Sequence, residues 1–119
     1  MPLALFEIKV ILKADILVGD DMMDKVINSA CGSDLMSDVL AFVKDQTLLL
    51  TGLTNPHVIR TAELLDVSAI VFVRGKVPTQ DIIDMAIERS IVLLSTYNTL
   101  FEACGKLYSA GLPGGVERA

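Results

Sequence analysis

The sequence lacks the residues on which several common kinds of site depend. It has no Trp, two cysteines and one histidine in 119 residues, and 5% of its residues are aromatic. Cys31 and Cys104 are too far apart for a CxxC redox or zinc motif, and His57 alone supplies no set of metal ligands. We therefore expect no metal and no other cofactor.

Positive charge is also scarce. The sequence has ten Lys and Arg residues and 15 Asp and Glu residues, which gives a net charge of −5. Since this charge repels a phosphate backbone, nucleic acid is not an expected partner. No apolar run reaches the roughly 20 residues of a membrane span, and residues 1–10 lack the basic leader of a signal peptide. We expect a cytoplasmic protein without a membrane partner. In that compartment a disulfide is not expected, and Cys104 is interpreted as a small buried hydrophobe.

Catalytic motifs are missing as well. Neither Gly75-Lys76-Val77 nor Gly105-Lys106-Leu107 completes a phosphate-binding loop. A phosphoacceptor receiver domain would need an aspartate after a central strand, where this chain has Thr51, and the pair Asp20-Asp21 is interpreted as a solvated turn. Catalysis is therefore not the favoured function.

What the chain does have is a large apolar fraction, 52%, arranged in a regular alternation. From Thr47 onward, runs that are apolar at consecutive positions, as in strands covered on both faces, alternate with segments that have apolar residues at helical spacing. The predicted strands are residues 47–50, 68–73 and 91–94, and the predicted helices are residues 56–65, 81–89 and 99–110. Thr99 and Glu102 suit a capping box. We predict an α/β fold of three α/β/α layers, with a mainly parallel sheet of four or five strands and helices on both faces.

The first part of the chain is less regular. We predict a short helix over residues 3–12, strands at 15–18 and 25–29, and a helix that Ser33 or Asp34 caps and that runs to Val43. The whole is predicted to be one domain, residues 1–112, followed by a flexible tail at 113–119.

Three loops follow the predicted strands, where an open parallel sheet holds ligands. In the first loop, residues 51–56, Asn55 and Pro56 suit the start of a helix. This loop is either an ordinary turn between a strand and a helix or part of a ligand site. His57, which follows it, is either a surface residue or a further ligand contact. In the second, Arg74 and Lys76 flank Gly75, which suits a solvated turn or an anion site equally. The third loop, residues 95–99, either caps the next helix or lines a pocket.

If the domain binds a ligand, the convergence of these loops predicts the site. Glycine backbone N–H groups, two cations and several hydroxyls and amides would meet there, which favours an anion bound without turnover. The candidate ligand-binding residues are Thr51, Gly52, Thr54, Asn55, Arg74, Gly75, Lys76, Thr96 and Asn98. No catalytic residue and no metal ligand is predicted.

Four blocks of the sequence together resemble the DRTGG domain. They are residues 30–38 (ACGSDLMSD), 48–55 (LLLTGLTN), 69–78 (AIVFVRGKVP) and 91–103 (IVLLSTYNTLFEA), and the resemblance extends over residues 11–112. Where the family has Gly-Asp-Arg, this chain has Gly52-Leu53-Thr54, and where the family has a double glycine, it has Arg74-Gly75-Lys76. The chain thus resembles a divergent, stand-alone branch.

The resemblance implies a function of a particular kind. DRTGG domains are small α/β modules found in CBS-containing pyrophosphatases and some phosphate acetyltransferases, and they are similar to the N-terminal domain of HPr kinase. This implies a non-catalytic regulatory or interaction module that pairs as a homodimer. The anion-favouring loops described above add the expectation that it senses a nucleotide or phosphorylated metabolite. A large apolar fraction in a small domain also favours the homodimer. The alternative is an enzyme or kinase-associated protein with an unrecognised site, since members of this branch carry a serine kinase label by analogy with HPr kinase.

Overall fold

The secondary structure follows the predicted alternation of strands and helices. The computed structural model describes residues 2–36, 39 and 46–114. In chain order the elements are β1 (Leu3–Ala4), α1 (Leu5–Leu12), β2 (Asp15–Val18), a 3₁₀ turn (Asp20–Met22), β3 (Val26–Ile27), β4 (Ser29–Gly32), β5 (Thr47–Thr51), α2 (Pro56–Leu64), β6 (Ala69–Phe72), α3 (Gln80–Glu88), β7 (Val92–Ser95) and α4 (Leu100–Ser109).

A five-stranded sheet lies at the centre of the molecule. Its strand order is β2-β7-β6-β5-β4, with β1 and β3 forming a separate two-stranded ribbon. The four strands from β7 to β4 are parallel, and β2 joins the edge of the sheet antiparallel to β7. Every residue of β5, β6 and β7 is buried, which is why these strands have apolar runs without alternation. The predicted fold class is confirmed.

Helices cover both faces of this sheet. Alternate residues of a strand point to opposite faces, so Leu48 and Leu50 pack with α1 and α4, whereas Leu49 packs with α2 and α3. Burial of each such leucine stabilises the fold by about 1.5–3 kcal/mol. The layers on both sides explain how a chain of this size hides so many apolar side chains.

The N-terminal prediction is wrong in two details. The first helix begins at Leu5, because Leu3 and Ala4 pair with β3. The strand predicted at 25–29 is instead split into β3 and β4, and β4 continues to Gly32 beside β5. The residues of β4 are small, and a run of small residues gives a weak strand signal. Within the sheet, the Ser29 hydroxyl is hydrogen-bonded to that of Thr47 at 2.8 Å.

Two other predictions fall largely outside the described residues. The helix predicted to end at Val43 includes residues 37, 38 and 40–45, although Met36 and Val39 are described and are buried. Of the predicted tail, residues 115–119 are outside the described ranges. Leu112 is buried, and the Pro113 carbonyl accepts a hydrogen bond from Ala30 N–H on the edge strand β4 at 2.9 Å.

A membrane-spanning helix would be long and continuously apolar, and none of the helices in residues 2–36 and 46–114 has both properties.

Candidate functional site

The loops after β5, β6 and β7 meet at one edge of the sheet, as predicted, because parallel strands end on the same side. Backbone hydrogen bonds tie them together: Val73 N–H donates to Thr51 O at 3.1 Å, and Arg74 N–H donates to Asn98 O at 2.9 Å. We call this edge the carboxyl rim; its residues are Thr51, Gly52, Thr54, Asn55, Arg74, Gly75, Lys76, Thr96 and Asn98. The structure therefore brings the candidate residues together at one edge. Some of them are exposed, and others are engaged in hydrogen bonds within the protein.

The turn after β6 presents the two cations of the carboxyl rim. Arg74 and Gly75 both have positive φ, 59° and 68°, and Lys76 N–H closes the turn on Val73 O at 3.2 Å. Glycine is required at position 75, because a Cβ there would also lie 2.7 Å from Cε1 of Tyr97. The turn leaves the side chains of Arg74 and Lys76 exposed.

Asp34 is a residue of this edge that the sequence analysis missed. Its Oδ1 accepts hydrogen bonds from Gly52 N–H at 2.6 Å and from the Thr51 hydroxyl at 3.1 Å. The Arg74 guanidinium lies over Gly52, where a Cβ would contact its Nη2. A carboxylate of the chain itself thus occupies the end of β5 beside an arginine.

The glycine N–H groups are not open to an anion, so that part of the prediction is wrong. Gly52 N–H donates to Asp34, and Gly75 N–H donates to Thr96 O at 2.8 Å. Buried backbone N–H groups usually find a partner inside the protein, and these two do. These two glycine N–H groups are therefore not available to a ligand at the carboxyl rim.

Thr96 and Asn98 fix the third loop in place. The Thr96 hydroxyl and Asn98 Nδ2 both donate to the Leu12 carbonyl at the end of α1, at 2.7 and 2.9 Å. Lys106 Nζ on α4 donates to Asn98 Oδ1 at 2.7 Å. The loop was predicted either to cap the next helix or to line a pocket, and it does both. Thr99 caps α4 and forms the predicted capping box with Glu102, and Tyr97 and Asn98 border a cavity.

Thr54 and Asn55 border the start of α2. Asn55 is the N-cap residue and Pro56 takes the first helical position, as predicted, but the Asn55 side chain makes no capping hydrogen bond. The Asn55 side chain is exposed, Thr54 is half-buried, and His57 is exposed in the first turn. Thr54 and Asn55 therefore add polar groups to the carboxyl rim at the start of α2.

The two cations of the carboxyl rim form no ion pair in the described part of the chain, although the Asp34 carboxylate lies near Arg74. In residues 2–36, 39 and 46–114, Glu63 and Glu88 form ion pairs with Arg89, and no carboxylate oxygen lies within 4.0 Å of Arg74 or Lys76. The protein as a whole carries a net charge of −5. Two exposed cations side by side in an acidic protein form a local positive surface.

The described residues do not form a metal centre: none of their His, Cys, Asp and Glu side chains gather in threes or more. Cys31 and Cys104 are not joined by a disulfide. Cys104 packs against the core, and its burial raises the pKa of the thiol, which keeps it protonated and poorly nucleophilic.

A solved structure has the same arrangement of strands and helices. It is the crystal structure of the CBS and DRTGG domains of the regulatory region of Clostridium perfringens pyrophosphatase, complexed with its activator, diadenosine tetraphosphate. The match has a TM-score of 0.75 and 18% sequence identity, and it covers 97% of this chain and 50% of that one. The fold is DRTGG-like. The resemblance inferred from the sequence is thereby confirmed for the fold.

This DRTGG-like chain spans half the length of the matched structure. No protein-family model matches its sequence, and no curated protein matches it either. In this fold the carboxyl rim lies at the carboxyl ends of parallel strands, which is where open α/β sheets in general bind ligands.

Proposed function

We propose that this chain is a regulatory module that binds an anionic small molecule at the carboxyl rim and does not convert it. The observation that supports this most is the exposed pair Arg74 and Lys76, which flanks Gly75 and forms no ion pair within 4.0 Å among the described residues. Guanidinium and ammonium groups bind phosphate through charge-assisted hydrogen bonds. Thr54 and Asn55 add uncharged hydrogen-bonding groups at the start of α2 on the same edge of the sheet.

A nucleotide or phosphorylated metabolite is the ligand class that fits this proposal. The structurally similar pyrophosphatase region is complexed with a nucleotide activator that carries four phosphates. Its regulatory role supports a regulatory role here, because the two share a fold over 97% of this chain. A cytoplasmic location, where such metabolites are abundant, belongs to the same proposal.

Binding without turnover follows from the groups at the carboxyl rim. General acid–base catalysis needs a proton donor and a proton acceptor placed on either side of a reacting group. Arg74 and Lys76 are cations, and the Asp34 Oδ1 is already engaged by Gly52 and Thr51. A ligand held in this way affects the protein by binding one state more tightly than another.

A homodimer is the second part of the proposal, and the exposed face of α4 supports it. Phe101 and Tyr108, two turns apart on the same side, are 88% and 75% exposed. Beside them runs an apolar groove of about 340 Å³ that includes Gly105, Ala30 of the edge strand and Pro113. In a two-fold dimer each copy offers both an aromatic side chain and a groove to receive one.

Ligand binding should raise the thermal stability of the chain. A ligand present at 100 times its dissociation constant adds about 2.7 kcal/mol, a rise in Tm of roughly 10 °C for a domain of this size. We expect such a rise with at least one nucleotide or phosphorylated metabolite in a thermal-shift screen, and none with the matching nucleosides and free sugars. A screen in which no anion raises the Tm, even at millimolar concentration, would contradict the proposed function.

A further inference from the structure

A second cavity adjoins the carboxyl rim, between the end of α1 and the first turns of α4. Its volume is about 300 Å³, and it is lined by Leu12, Lys13, Tyr97, Asn98, Glu102 and Lys106. Of these only Asn98 was among the candidate residues. This volume is at the lower end of the range typical of small-molecule sites.

The backbone at Tyr97 is fixed by its neighbours, although the Tyr97 side chain does not pack in the core. Its side chain is 85% exposed. The residues on both sides of it, Thr96 and Asn98, are anchored to the Leu12 carbonyl. One side of the ring rests against Gly75, so closely that no side chain fits between them. An exposed aromatic ring on a backbone fixed in this way can stack on a flat ligand with little loss of conformational entropy.

Two lysines border the same cavity. Lys13 is exposed at the end of α1, and Lys106 is oriented by its hydrogen bond to Asn98 Oδ1. One carboxylate, Glu102, also lines the cavity, but its Oε1 accepts hydrogen bonds from the Thr99 N–H and hydroxyl. The cavity therefore has a surplus of positive charge beside an aromatic ring.

We propose that this cavity binds a nucleoside phosphate, with the base stacked on Tyr97 and the phosphate between Lys13 and Lys106. An aromatic ring accepts any base through its face, and the two ammonium groups supply contacts to phosphate oxygens. This inference rests on the proposed function, because it assigns the chemical class of the proposed anionic ligand. It also extends the proposed binding site from Arg74 and Lys76 to Tyr97 on the other side of Gly75.

Titrations of the whole chain with ADP, adenosine and inorganic pyrophosphate test the assignment. Tyr97→Ala should weaken ADP binding about ten-fold or more, because stacking of one base contributes roughly that much, and should leave pyrophosphate binding unchanged. Tyr97→Phe, which keeps the ring, should bind ADP like the wild type. Lys13→Gln combined with Lys106→Gln should weaken both ADP and pyrophosphate, and adenosine should bind more weakly than ADP throughout.

The outcomes separate this assignment from the proposed function. If ADP binds and Tyr97→Ala has no effect, the stacking site is wrong while an anion site remains. If a phosphorylated compound without a base binds and ADP does not, the nucleoside phosphate assignment fails and the proposed function stands. If neither ADP, pyrophosphate nor any other anion binds, both fail.

Discussion

Replacement of both Arg74 and Lys76 by alanine is expected to weaken the binding of a phosphorylated ligand by about 100-fold or more. Each charge-assisted hydrogen bond contributes about 1.5–3 kcal/mol, so loss of two costs about 3 kcal/mol or more. Both side chains are exposed, and the turn is closed by backbone atoms. The double variant should therefore keep the fold and the Tm of the unliganded wild type. Isothermal titration of the ligand identified by the screen measures the difference.

A matched control separates local contacts from overall charge. Lys25 and Arg60 are also exposed, lie outside the carboxyl rim, and together carry the same charge as the rim pair. Lys25→Ala combined with Arg60→Ala should leave the affinity within a few-fold of the wild type. If both double variants lost the same affinity, the loss would come from the overall charge of the protein and not from contacts at the carboxyl rim. If the rim variant kept the wild-type affinity, the ligand would not bind at Arg74 and Lys76.

A single charge on the outer face of α4 should convert the proposed dimer into a monomer. Phe101→Glu would place a carboxylate where the dimer buries an aromatic ring, and aromatic anchors at interfaces contribute about 2–4 kcal/mol each, so the dimer should weaken by about 30-fold or more. Sedimentation velocity at tens of micromolar should show a dimer for the wild type and a monomer for the variant. Leu64→Glu, at a residue that is 74% exposed on α2, is the control and should remain dimeric.

Two results would contradict the dimer. One is a wild type that sediments as a monomer across that concentration range. The other is a Phe101→Glu variant that remains as dimeric as the Leu64→Glu control, because the α4 face would then not be the interface.

Helix α4 connects the two proposed surfaces. Lys106 contacts Asn98 near the carboxyl rim, and Phe101 and Tyr108 project from the same helix into solvent. A ligand that contacts Lys106 would bias the position of the helix that carries the interface. Coupling between two sites of this kind is reciprocal, so a ligand that strengthens the dimer should itself bind the dimer more tightly by the same factor.

Sequence pattern predicted the centre of the sheet and the edge strand β2 closely, and the opposite edge strand β4 poorly. Strands β5, β6 and β7 are covered on both faces, and such strands have continuous apolar runs that are visible without a structure. Strand β4 at the edge is short and made of small residues, so the predicted strand ended at 29 instead of Gly32. Since Asp34 follows the end of β4, this displacement also hid its place beside Gly52.

The sequence predicted that the candidate residues lie together at one edge of the sheet, but it did not predict their contacts. Parallel strands must end at one edge, so the loops were expected to meet, and they do. The hydrogen bond from Asn98 to Leu12, however, spans 86 residues of sequence. No local pattern indicates such a contact, and the same is true of Lys13 and Lys106 beside Tyr97. The pairing of Gly52 N–H with Asp34 was missed for the same reason.

The most direct test of ligand binding at the carboxyl rim is an amide ¹H–¹⁵N NMR titration of the whole chain with the ligand from the thermal-shift screen. We expect saturable shifts concentrated at Thr54, Asn55, Gly75, Lys76 and Tyr97, with the ligand recovered unchanged at the end. Shifts confined to the groove beside Phe101 and Tyr108, or conversion of the ligand during the titration, would contradict the account.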